Sequence, residues 1–405
     1  MAATLGEGIE LEITAVVAGG DGLARPPDGQ IVFVTGALPG DRVRAEVTET
    51  KKGFRRARLI EVLDAAPSRV APPCPHVADG CGGCDWQHVD PLAQRELKAS
   101  IVADALRRIA KLDPPGIDLG PELPAVAYRT TVRAAVHDGR AGFRHRGSHD
   151  VVVVDRCLVA HPLVDELIER GRFGAATEVT LRAGVATGER LVLFETDVDP
   201  RTDEGIALPG DVFVVGPKGK GAIHERVGGR SWRISARSFF QTRTDGAEAL
   251  VDAVRAAAGP VESKRFVDLY AGVGLFAGTV GEGARSVVAV EGSAEACRDA
   301  RHNVPDAKVV GRDVNQWQPE PADVVVADPS RTGLGIQAAD RIARTGADRL
   351  VLVSCDAASL ARDAKLLVER GYGLSGVTLV DLFPHTSHIE AVSRFDRHPD
   401  GQPAP

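Results

Sequence analysis

Along the first sixty residues, polar and apolar positions alternate. Residues 9–13 and 43–47 show a period of two, and glycine-rich turns at 19–22 and 38–41 separate such stretches. A period of two between tight turns is typical of antiparallel strands with one buried face. The pattern predicts a small antiparallel barrel over residues 1–64, of the OB type that often carries oligonucleotides on one face.

From residue 245 onward, helical segments alternate with short apolar strands. Such alternation favours a mainly parallel sheet with helices wound on both faces. No helical segment separates the last two strands, which should therefore pair antiparallel as a hairpin. The seven predicted strands are 266–270, 286–291, 308–311, 323–328, 349–355, 376–383 and 389–395.

The middle of the chain combines one helix with further strands. Apolar residues recur at helical spacing over residues 91–112, and two prolines follow at 114 and 115. Strands are predicted at 130–136, 151–154, 190–195 and 212–215. Because 405 residues are too many for one ordinary core, we divide the chain into several parts. These are the barrel (1–64), a β-rich central domain (65–237), a doubly wound domain (238–397) and a tail (398–405).

The composition is that of a globular protein with two local basic blocks. Hydrophobic residues make up 43% of the chain and charged residues 26%. The net charge of −7 disfavours a protein that coats nucleic acid by charge alone. Residues 42–58 nevertheless carry a local balance of +5, and residues 129–146 one of +4. Either block alone fits a solvated face, but two of them favour a polyanionic substrate.

The sequence shows neither a secretory signal nor a membrane span. Residues 1–7 have no basic or apolar run, and no stretch of about 18 apolar residues occurs. Six cysteines in 405 residues are too few for a disulfide scaffold. We expect a cytoplasmic protein without membrane contact, and a monomer.

Three of the six cysteines fall within eleven residues. Cys81 and Cys84 form a C-x-x-C chelate whose two glycines let the backbone wrap an ion or a cluster, and Cys74 precedes them. The candidates for a fourth ligand are Cys157, His76 and His88. This spacing fits tetrahedral zinc and an iron–sulfur cluster equally well, and three unrelated buried cysteines are the remaining interpretation.

A glycine-rich turn follows the first strand of the C-terminal region. Gly272 and Gly274 belong to a G-x-G-x-x-A sequence, and Glu291, 19 residues after Gly272, ends the next strand. Strand, glycine turn and acid in this order predict a nucleotide-type cofactor whose ribose hydroxyls bind the carboxylate. A tight turn without a ligand is the alternative.

Two aspartates favour S-adenosylmethionine over NAD at this turn. Asp268 lies near the end of the strand before the glycines, where a carboxylate suits the ammonium group of a cofactor that has no pyrophosphate. Asp328 precedes a proline at the carboxyl end of a later strand, at the sheet edge where ligands bind. A structural Asp-Pro turn stays open for Asp328.

Cys355 and Glu390 supply a candidate nucleophile and a candidate base. Cys355 follows an apolar strand and should emerge at the carboxyl edge of the sheet, whereas Cys297 belongs to a helical stretch and should be packed. Carbon 5 of uracil becomes nucleophilic once a thiolate adds to carbon 6, and a base must later remove the proton on carbon 5. Glu390 is our choice for that base, with His385 and His388 as alternatives.

At these residues the chain resembles the S-adenosylmethionine-dependent RNA 5-methyluridine methyltransferases that act on tRNA or 23S rRNA. The resemblance rests on Ser-Cys-Asp at 354–356, Phe-Pro-His-Thr-Ser-His-Ile-Glu at 383–390 and Cys-Gly-Gly-Cys-x-x-Gln-His at 81–88. It implies a TRAM domain in the first 60 residues and a Rossmann-like, seven-stranded class I methyltransferase domain at the C-terminus. The helix over 91–112 would then belong with the catalytic domain, although it precedes the central one.

The same resemblance implies roles for individual residues. Cys355 is the implied nucleophile and Glu390 the implied base. The implied cofactor contacts are Gln241, Tyr270, Glu291, Asp328 and Asp313. The implied ligands of a four-iron four-sulfur cluster are Cys74, Cys81, Cys84 and Cys157, with zinc as the less favoured occupant.

Three departures from the family pattern leave the chemistry intact but bear on the substrate. Leu275 stands where many members have Asn, and Ser330 replaces the second proline of Asp-Pro-Pro-Arg. Asp-Ala-Ala at 356–358 replaces Asn-Pro-Ala after the cysteine. The sequence therefore does not choose between rRNA and tRNA or identify the target uridine.

Together these features predict an enzyme that methylates carbon 5 of a flipped-out uridine in structured RNA. The barrel and the cluster-bearing central domain would hold the RNA. The cluster would be structural or RNA-positioning, since methyl transfer from a sulfonium requires no electron. The alternatives are an NAD-dependent iron–sulfur oxidoreductase, a non-catalytic RNA-binding protein, and a DNA 5-methylcytosine enzyme, whose nucleophile should follow a proline rather than Ser354.

Overall fold

The computed structural model describes residues 8–27, 29–195, 198–200 and 202–398. The first seven residues of the predicted barrel and the predicted tail beyond residue 398 lie outside this part of the chain. The first five strands are β1 (Gly8–Val16), β2 (Gly22–Ala24), β3 (Ile31–Thr35), β4 (Arg42–Thr50) and β5 (Phe54–Asp64).

These five strands form a closed barrel, as predicted, with one difference in strand direction. They close in the order β1-β2-β3-β5-β4 around a small core that includes Leu11, Val32 and Val43. β3 and β5 pair in parallel, whereas the alternation alone predicted antiparallel pairs throughout. The parallel pair arises because the chain completes β4 first and then inserts β5 between β3 and β4.

A helix and a short strand follow the cysteine-containing segment. Helix α1 (Pro91–Ala105) starts at Asp90, whose carboxylate accepts hydrogen bonds from the Leu92 and Ala93 N–H groups at 3.0 and 3.2 Å. A π-type turn, Leu106–Ala110, continues α1. Strand β6 (Ile117–Leu119) comes next.

The central region is built on a six-stranded sheet. Its elements are β7 (Thr131–His137), β8 (Arg140–Arg144), β9 (Val151–Val153), α2 (Pro162–Arg170), β10 (Arg172–Phe173), β11 (Glu178–Ala183), β12 (Arg190–Phe194), β13 (Ile206–Ala207), β14 (Val212–Val215), β15 (Ala222–Val227) and β16 (Arg230–Ser235). The sheet has the order β14-β12-β11-β7-β8-β9, and α2 packs on one of its faces. Two strand pairs, β10-β13 and β15-β16, stand beside it.

The C-terminal region is a doubly wound α/β domain. Its elements are α3 (Thr244–Ala258), β17 (Arg265–Leu269), α4 (Leu275–Thr279), β18 (Ser286–Glu291), α5 (Ala294–Asn303), β19 (Lys308–Gly311), β20 (Val324–Ala327), α6 (Gly335–Thr345), β21 (Arg349–Ser354), α7 (Ala357–Val368), β22 (Tyr372–Leu379) and β23 (Ala391–Arg397). β17 to β21 run parallel, and β23 pairs antiparallel with both β21 and β22.

The prediction of a seven-stranded sheet was wrong by one strand. Within the described residues the sheet has eight strands in the order β19-β18-β17-β20-β21-β23-β22-β6. The eighth strand, β6, adds parallel to β22 and comes from the segment before the central domain. Three residues give no readable period, so only long-range pairing defines β6 as a strand. The structure also ends β22 at Leu379 and begins β23 at Ala391, so residues 380–383 and 389–390, which the sequence predicted as strand, belong to the loop 380–390.

Helix α1 packs on the eight-stranded sheet together with α6 and α7. Its Ile101 and Val102, and Leu106 in the π-type turn, share one buried apolar core with Leu360 and Leu367 of α7. A second core fills the opposite face of the sheet around α3 and α4. None of the helices within the described residues is long and apolar enough to cross a bilayer.

Candidate active site

A cavity of about 820 Å³ opens at the carboxyl edge of the catalytic sheet and continues to the central domain. Eleven of the predicted site residues line it: Cys74, Cys81, Cys84, Cys157, Gln241, Tyr270, Gly272, Glu291, Asp328, Cys355 and Glu390. Three do not, namely Asp268, Gly274 and Asp313. The predicted nucleophile, base, cofactor turn and cysteines thus share one cavity.

The glycine-rich turn between β17 and α4 shapes one end of the cavity. Tyr270, Gly272 and Gly274 have φ values of 61°, 56° and 94°, a left-handed conformation that glycine adopts at least cost. The Gly272 N–H donates to Glu291 Oε2 at 2.8 Å, and the Ser293 N–H donates to Glu291 Oε1 at 2.6 Å. These bonds hold the Glu291 carboxylate at the cavity wall.

The three predicted residues that do not line the cavity have structural contacts instead. Asp268 is 0% exposed, and its Oδ2 accepts from the Ala277 N–H at 2.8 Å while Oδ1 has no partner within the described residues. Asp313 caps the short turn Val314–Gln316 by accepting from the Asn315 N–H at 2.7 Å. A Cβ on Gly274 would lie 2.9 Å from Val304, so glycine lets the turn approach α5.

Cys355, Asp328 and Glu390 form an acidic group in the cavity. Burial, followed by Glu390 and Asp328, raises the pKa of the Cys355 thiol to about 11, and Arg331 opposes this rise. Burial raises the pKa of Asp328 to about 7. Burial and the Asp328 carboxylate raise the pKa of Glu390 well above its usual value. Burial also raises the pKa of Asp268 behind the turn to about 8.

Among these four groups, only Cys355 has its pKa lowered by a basic side chain, that of Arg331. Several acids that disfavour one another's ionisation in a partly dry cavity would all be relieved by a cation. A ligand that carries positive charge near Asp328 therefore suits this cavity better than an anionic one. The pyrophosphate of a dinucleotide would add to the repulsion.

Sequence reasoning missed several residues that line the cavity. Phe239 is 65% exposed at the rim, two residues before Gln241. Arg331 donates to the His388 ring, with Nη2 2.9 Å from Nε2. Arg129, Arg133 and Arg156 line the central-domain side. The basic block at 129–146 gave a signal for two of these arginines, but an exposed phenylalanine cannot be told from a core residue by sequence alone.

The cysteine-containing segment lies against the end of β8. The Gly82 N–H donates to the Arg144 carbonyl oxygen at 3.0 Å, and a Cβ on Gly82 would come within 2.8 Å of that oxygen. The Cys74 N–H donates to Gln87 Oε1 at 3.0 Å. Burial, followed by the nearby Cys157 and Cys81, raises the pKa of Cys84 to about 12. Cys81 and Cys84 of the segment are thus near Cys157 of the central domain, and Cys74 is near Cys81.

The cysteines do not form a compact metal-ion site within the described residues. Among the described residues, no three His, Cys, Asp or Glu side chains are close enough together to hold one metal ion, whereas tetrahedral zinc needs four donors about 2.0–2.3 Å from it. His76 instead contacts Asp79 at 3.1 Å. The spacing of the cysteines along the sequence does not fix the distances between their sulfurs.

Comparisons with known proteins agree with this geometry. The TRAM domain model matches residues 2–60. An uncharacterized RNA methyltransferase of Streptomyces avermitilis is 37% identical over 96% of this chain and 98% of its own. The 23S rRNA (uracil(1939)-C(5))-methyltransferase RlmD of Alkalilimnicola ehrlichii is 33% identical over 96% of this chain and 97% of its own.

A solved structure matches the whole architecture. The Pyrococcus abyssi tRNA (uracil-54, C5)-methyltransferase in complex with S-adenosyl-L-homocysteine superimposes with a TM-score of 0.75 at 25% identity. The match covers 95% of this chain and 99% of that one. Barrel, central domain and catalytic domain are therefore similar in kind and arrangement.

Proposed function

Because this chain belongs to the S-adenosylmethionine-dependent RNA uracil-C5 methyltransferases, we propose that it methylates carbon 5 of one uridine in 23S rRNA or tRNA through a covalent bond to Cys355. The observation that carries the proposal is that Cys355 and Glu390 line one cavity with the glycine turn. An NAD-dependent oxidoreductase would leave this pair unexplained, and a purely RNA-binding protein would not need it.

The residues present fit S-adenosylmethionine. Glu291 would receive the ribose hydroxyls, Gln241, Tyr270 and Asp328 would contact the rest of the molecule, and the acidic surroundings suit its two positive groups. When bound, this molecule supplies an electrophilic methyl group on a sulfonium. Asp268 would act through the turn that it supports, because it does not reach the cavity.

Cys355 and Glu390 would carry the covalent chemistry. The Cys355 sulfur adds to carbon 6 of uracil, which moves the electrons of the 5,6 double bond toward carbon 5 and the carbonyl at carbon 4. Carbon 5 would then bond to the methyl group as the bond between that methyl group and the sulfonium sulfur breaks, and the sulfonium would leave as a neutral thioether. Glu390 removes the proton from carbon 5, the double bond reforms, and the sulfur leaves carbon 6. Enzyme thiolate is regenerated and Glu390 holds one proton, which it returns to solvent.

The thiol must first lose its own proton. With a pKa of about 11 in the empty site, Cys355 is protonated at neutral pH. Arg331 already lowers this value, and neutralising the charge of Asp328 and Glu390 by a bound cation would lower it further. A bound cation would therefore favour the thiolate form of Cys355.

The RNA would be held by the barrel and by the central-domain side of the cavity. Phe33 and Phe54 of β3 and β5 pack edge to face with ring centroids 5.6 Å apart, and the Arg56 guanidinium lies 5.9 and 5.8 Å from the two rings. Aromatic rings with adjacent arginines offer stacking and phosphate contacts. At the cavity rim, the exposed Phe239 suits stacking against a flipped-out base.

The four cysteines fit an iron–sulfur cluster as their occupant. They line the same cavity from two parts of the fold. A four-iron four-sulfide core is larger than one ion and keeps its thiolates farther apart. Cys74, Cys81, Cys84 and Cys157 would hold it, and it would cross-link the cysteine-containing segment to the central domain.

The cluster proposal predicts the metal content of the protein. Full-length protein purified without oxygen should contain about four iron and four acid-labile sulfide ions per chain. Cys157→Ser should lose most of both, because it removes the ligand that comes from the central domain. Cys297→Ser, at a buried cysteine of α5, is the matched control and should keep both. Stoichiometric zinc with little iron would contradict the proposal.

The methylation proposal is tested by following the methyl group. The protein is incubated with methyl-labelled S-adenosylmethionine and separate pools of unmodified tRNA and 23S rRNA. We expect 5-methyluridine in one pool, which identifies the substrate class. Cofactor binding without label in either pool would contradict the choice of RNA, and failure to bind the cofactor would overturn the proposal.

A further inference from the structure

Residues outside the loop that carries Glu390 hold this loop in place. This base loop, residues 380–390, connects β22 to β23. Glu390 is 5% exposed, and within the described residues its carboxylate makes no hydrogen bond to protein. Its position is therefore set by the backbone of the base loop rather than by bonds of its own.

One anchor of the base loop is Lys98 of α1. Lys98 is 0% exposed, and its Nζ donates to Asp381 Oδ1 at 2.6 Å and to the Phe383 carbonyl oxygen at 2.9 Å. A buried ion pair gives little net stability, since both charges must leave water. An apolar side chain at this position would pack α1 on the sheet without the free-energy cost of burying a charge. The bonds that Lys98 makes therefore define where the loop runs.

The second anchor is Gln94, one turn earlier on α1 and also 0% exposed. Its Oε1 accepts from the His385 N–H at 2.6 Å, while its Nε2 donates to the carbonyl oxygens of Val89 at 2.9 Å and Trp86 at 3.3 Å. The Trp86 N–H in turn donates to the His385 carbonyl oxygen at 2.9 Å. Both backbone polar groups of His385 are thus bound by residues outside the loop.

The backbone at His385 shows that these contacts impose a conformation. His385 has a φ of 64°, in the left-handed region that a residue with a side chain rarely adopts. Such a conformation persists only where the surroundings over-determine it. At His385, five residues before the base, the hydrogen bonds with Gln94 and Trp86 enforce this conformation.

From these contacts we infer that Gln94 and Lys98 are positioning residues for removal of the carbon 5 proton. They fix the base loop so that Glu390 faces the carbon that loses its proton. This inference rests on the proposed function. Since Glu390 acts only after Cys355 has bonded to carbon 6, displacing the base loop should slow release of the methylated RNA more than formation of the covalent adduct.

The test measures the two steps separately in the full-length protein. Gln94→Met and Lys98→Met are compared with Val102→Ala, a buried apolar position of the same helix. Covalent enzyme–RNA adduct is quantified on denaturing gels over time, together with 5-methyluridine. In Gln94→Met and Lys98→Met we expect the rate of adduct formation to stay within about threefold of wild type and the rate of release to fall at least tenfold. A small misplacement of a catalytic group lowers a rate by up to about a hundredfold.

The control separates positioning from stability. Val102→Ala should change both steps by the same small factor. If Gln94→Met and Lys98→Met also slow both steps equally, or match Val102→Ala, the inference is overturned. Should either methionine variant fail to fold, Asp381→Asn weakens the same anchor from the loop side and should give intermediate slowing of release. A wild-type protein that forms neither adduct nor 5-methyluridine overturns the proposed function, and this inference with it.

Discussion

Replacing Cys355 by alanine is expected to abolish formation of 5-methyluridine, by at least about a thousandfold. Without the sulfur, nothing adds to carbon 6, and carbon 5 of uracil remains too weak a nucleophile to accept a methyl group. No covalent adduct should be seen on denaturing gels. Binding of S-adenosylmethionine, measured by calorimetry, should survive, because the glycine turn and Glu291 are untouched.

Cys297→Ala is the matched control for the loss of a thiol. Cys297 is 2% exposed on α5 and does not line the cavity. Its replacement should leave methylation within a few-fold of wild type. If Cys355→Ala retained more than about a tenth of wild-type activity under single-turnover conditions, a covalent mechanism through this residue would be wrong.

Replacing Glu390 by glutamine is expected to trap the reaction after methyl transfer. The amide cannot accept the carbon 5 proton, so the sulfur cannot leave carbon 6. Methylated RNA should therefore accumulate as covalent adduct while multiple turnover falls by about 10²–10⁴-fold. The trapped species would migrate with the protein on a denaturing gel and carry the methyl label.

The Glu390→Gln variant should fold as well as wild type. Because burial and Asp328 raise the pKa of Glu390, the folded protein favours the neutral carboxyl more than water does, and a neutral amide resembles that form. The raised pKa of Glu390 also determines how the stability difference between the variant and wild type changes with pH. A group with a raised pKa costs stability as pH rises, so the variant should gain stability relative to wild type at alkaline pH.

Glu369→Gln, at an exposed position just after α7, provides the control for changing a glutamate elsewhere. It should leave both turnover and adduct lifetime unchanged. Fast turnover by Glu390→Gln, or loss of the adduct itself, would assign the base to another group. His388 would be the next candidate, because it lines the same cavity.

Features governed by local rules could be predicted from the sequence. The barrel follows from a period of two between glycine turns, and the cofactor turn follows from the conformational demands on Gly272 and Gly274. Cys355 was placed at the sheet edge because an apolar run of strand length ends just before it. In each case a few consecutive residues contain the whole physical cause.

Features that depend on distant segments could not be predicted. Strand β6 exists only because β22, far along the chain, offers it an edge. Gln94 and Lys98 look like ordinary polar residues of a surface helix until the base loop covers them. Asp268 suits a ligand by its place in the strand, yet its side chain turns into the core to bond the Ala277 N–H. The directions of these side chains are set by tertiary packing rather than by sequence neighbours.

The position of β23 bears on how the protein is made. β23 is the last strand of the described chain, yet it lies inside the sheet between β21 and β22, and β6 from the first third of the chain forms the edge beyond β22. On the ribosome the catalytic sheet cannot close until residue 397 has been synthesised, whereas the barrel can close once β5 is complete. Products of interrupted translation would therefore carry an RNA-binding fold without a competent catalytic domain. Glu390, which immediately precedes β23, is correspondingly among the last site residues to be set in place.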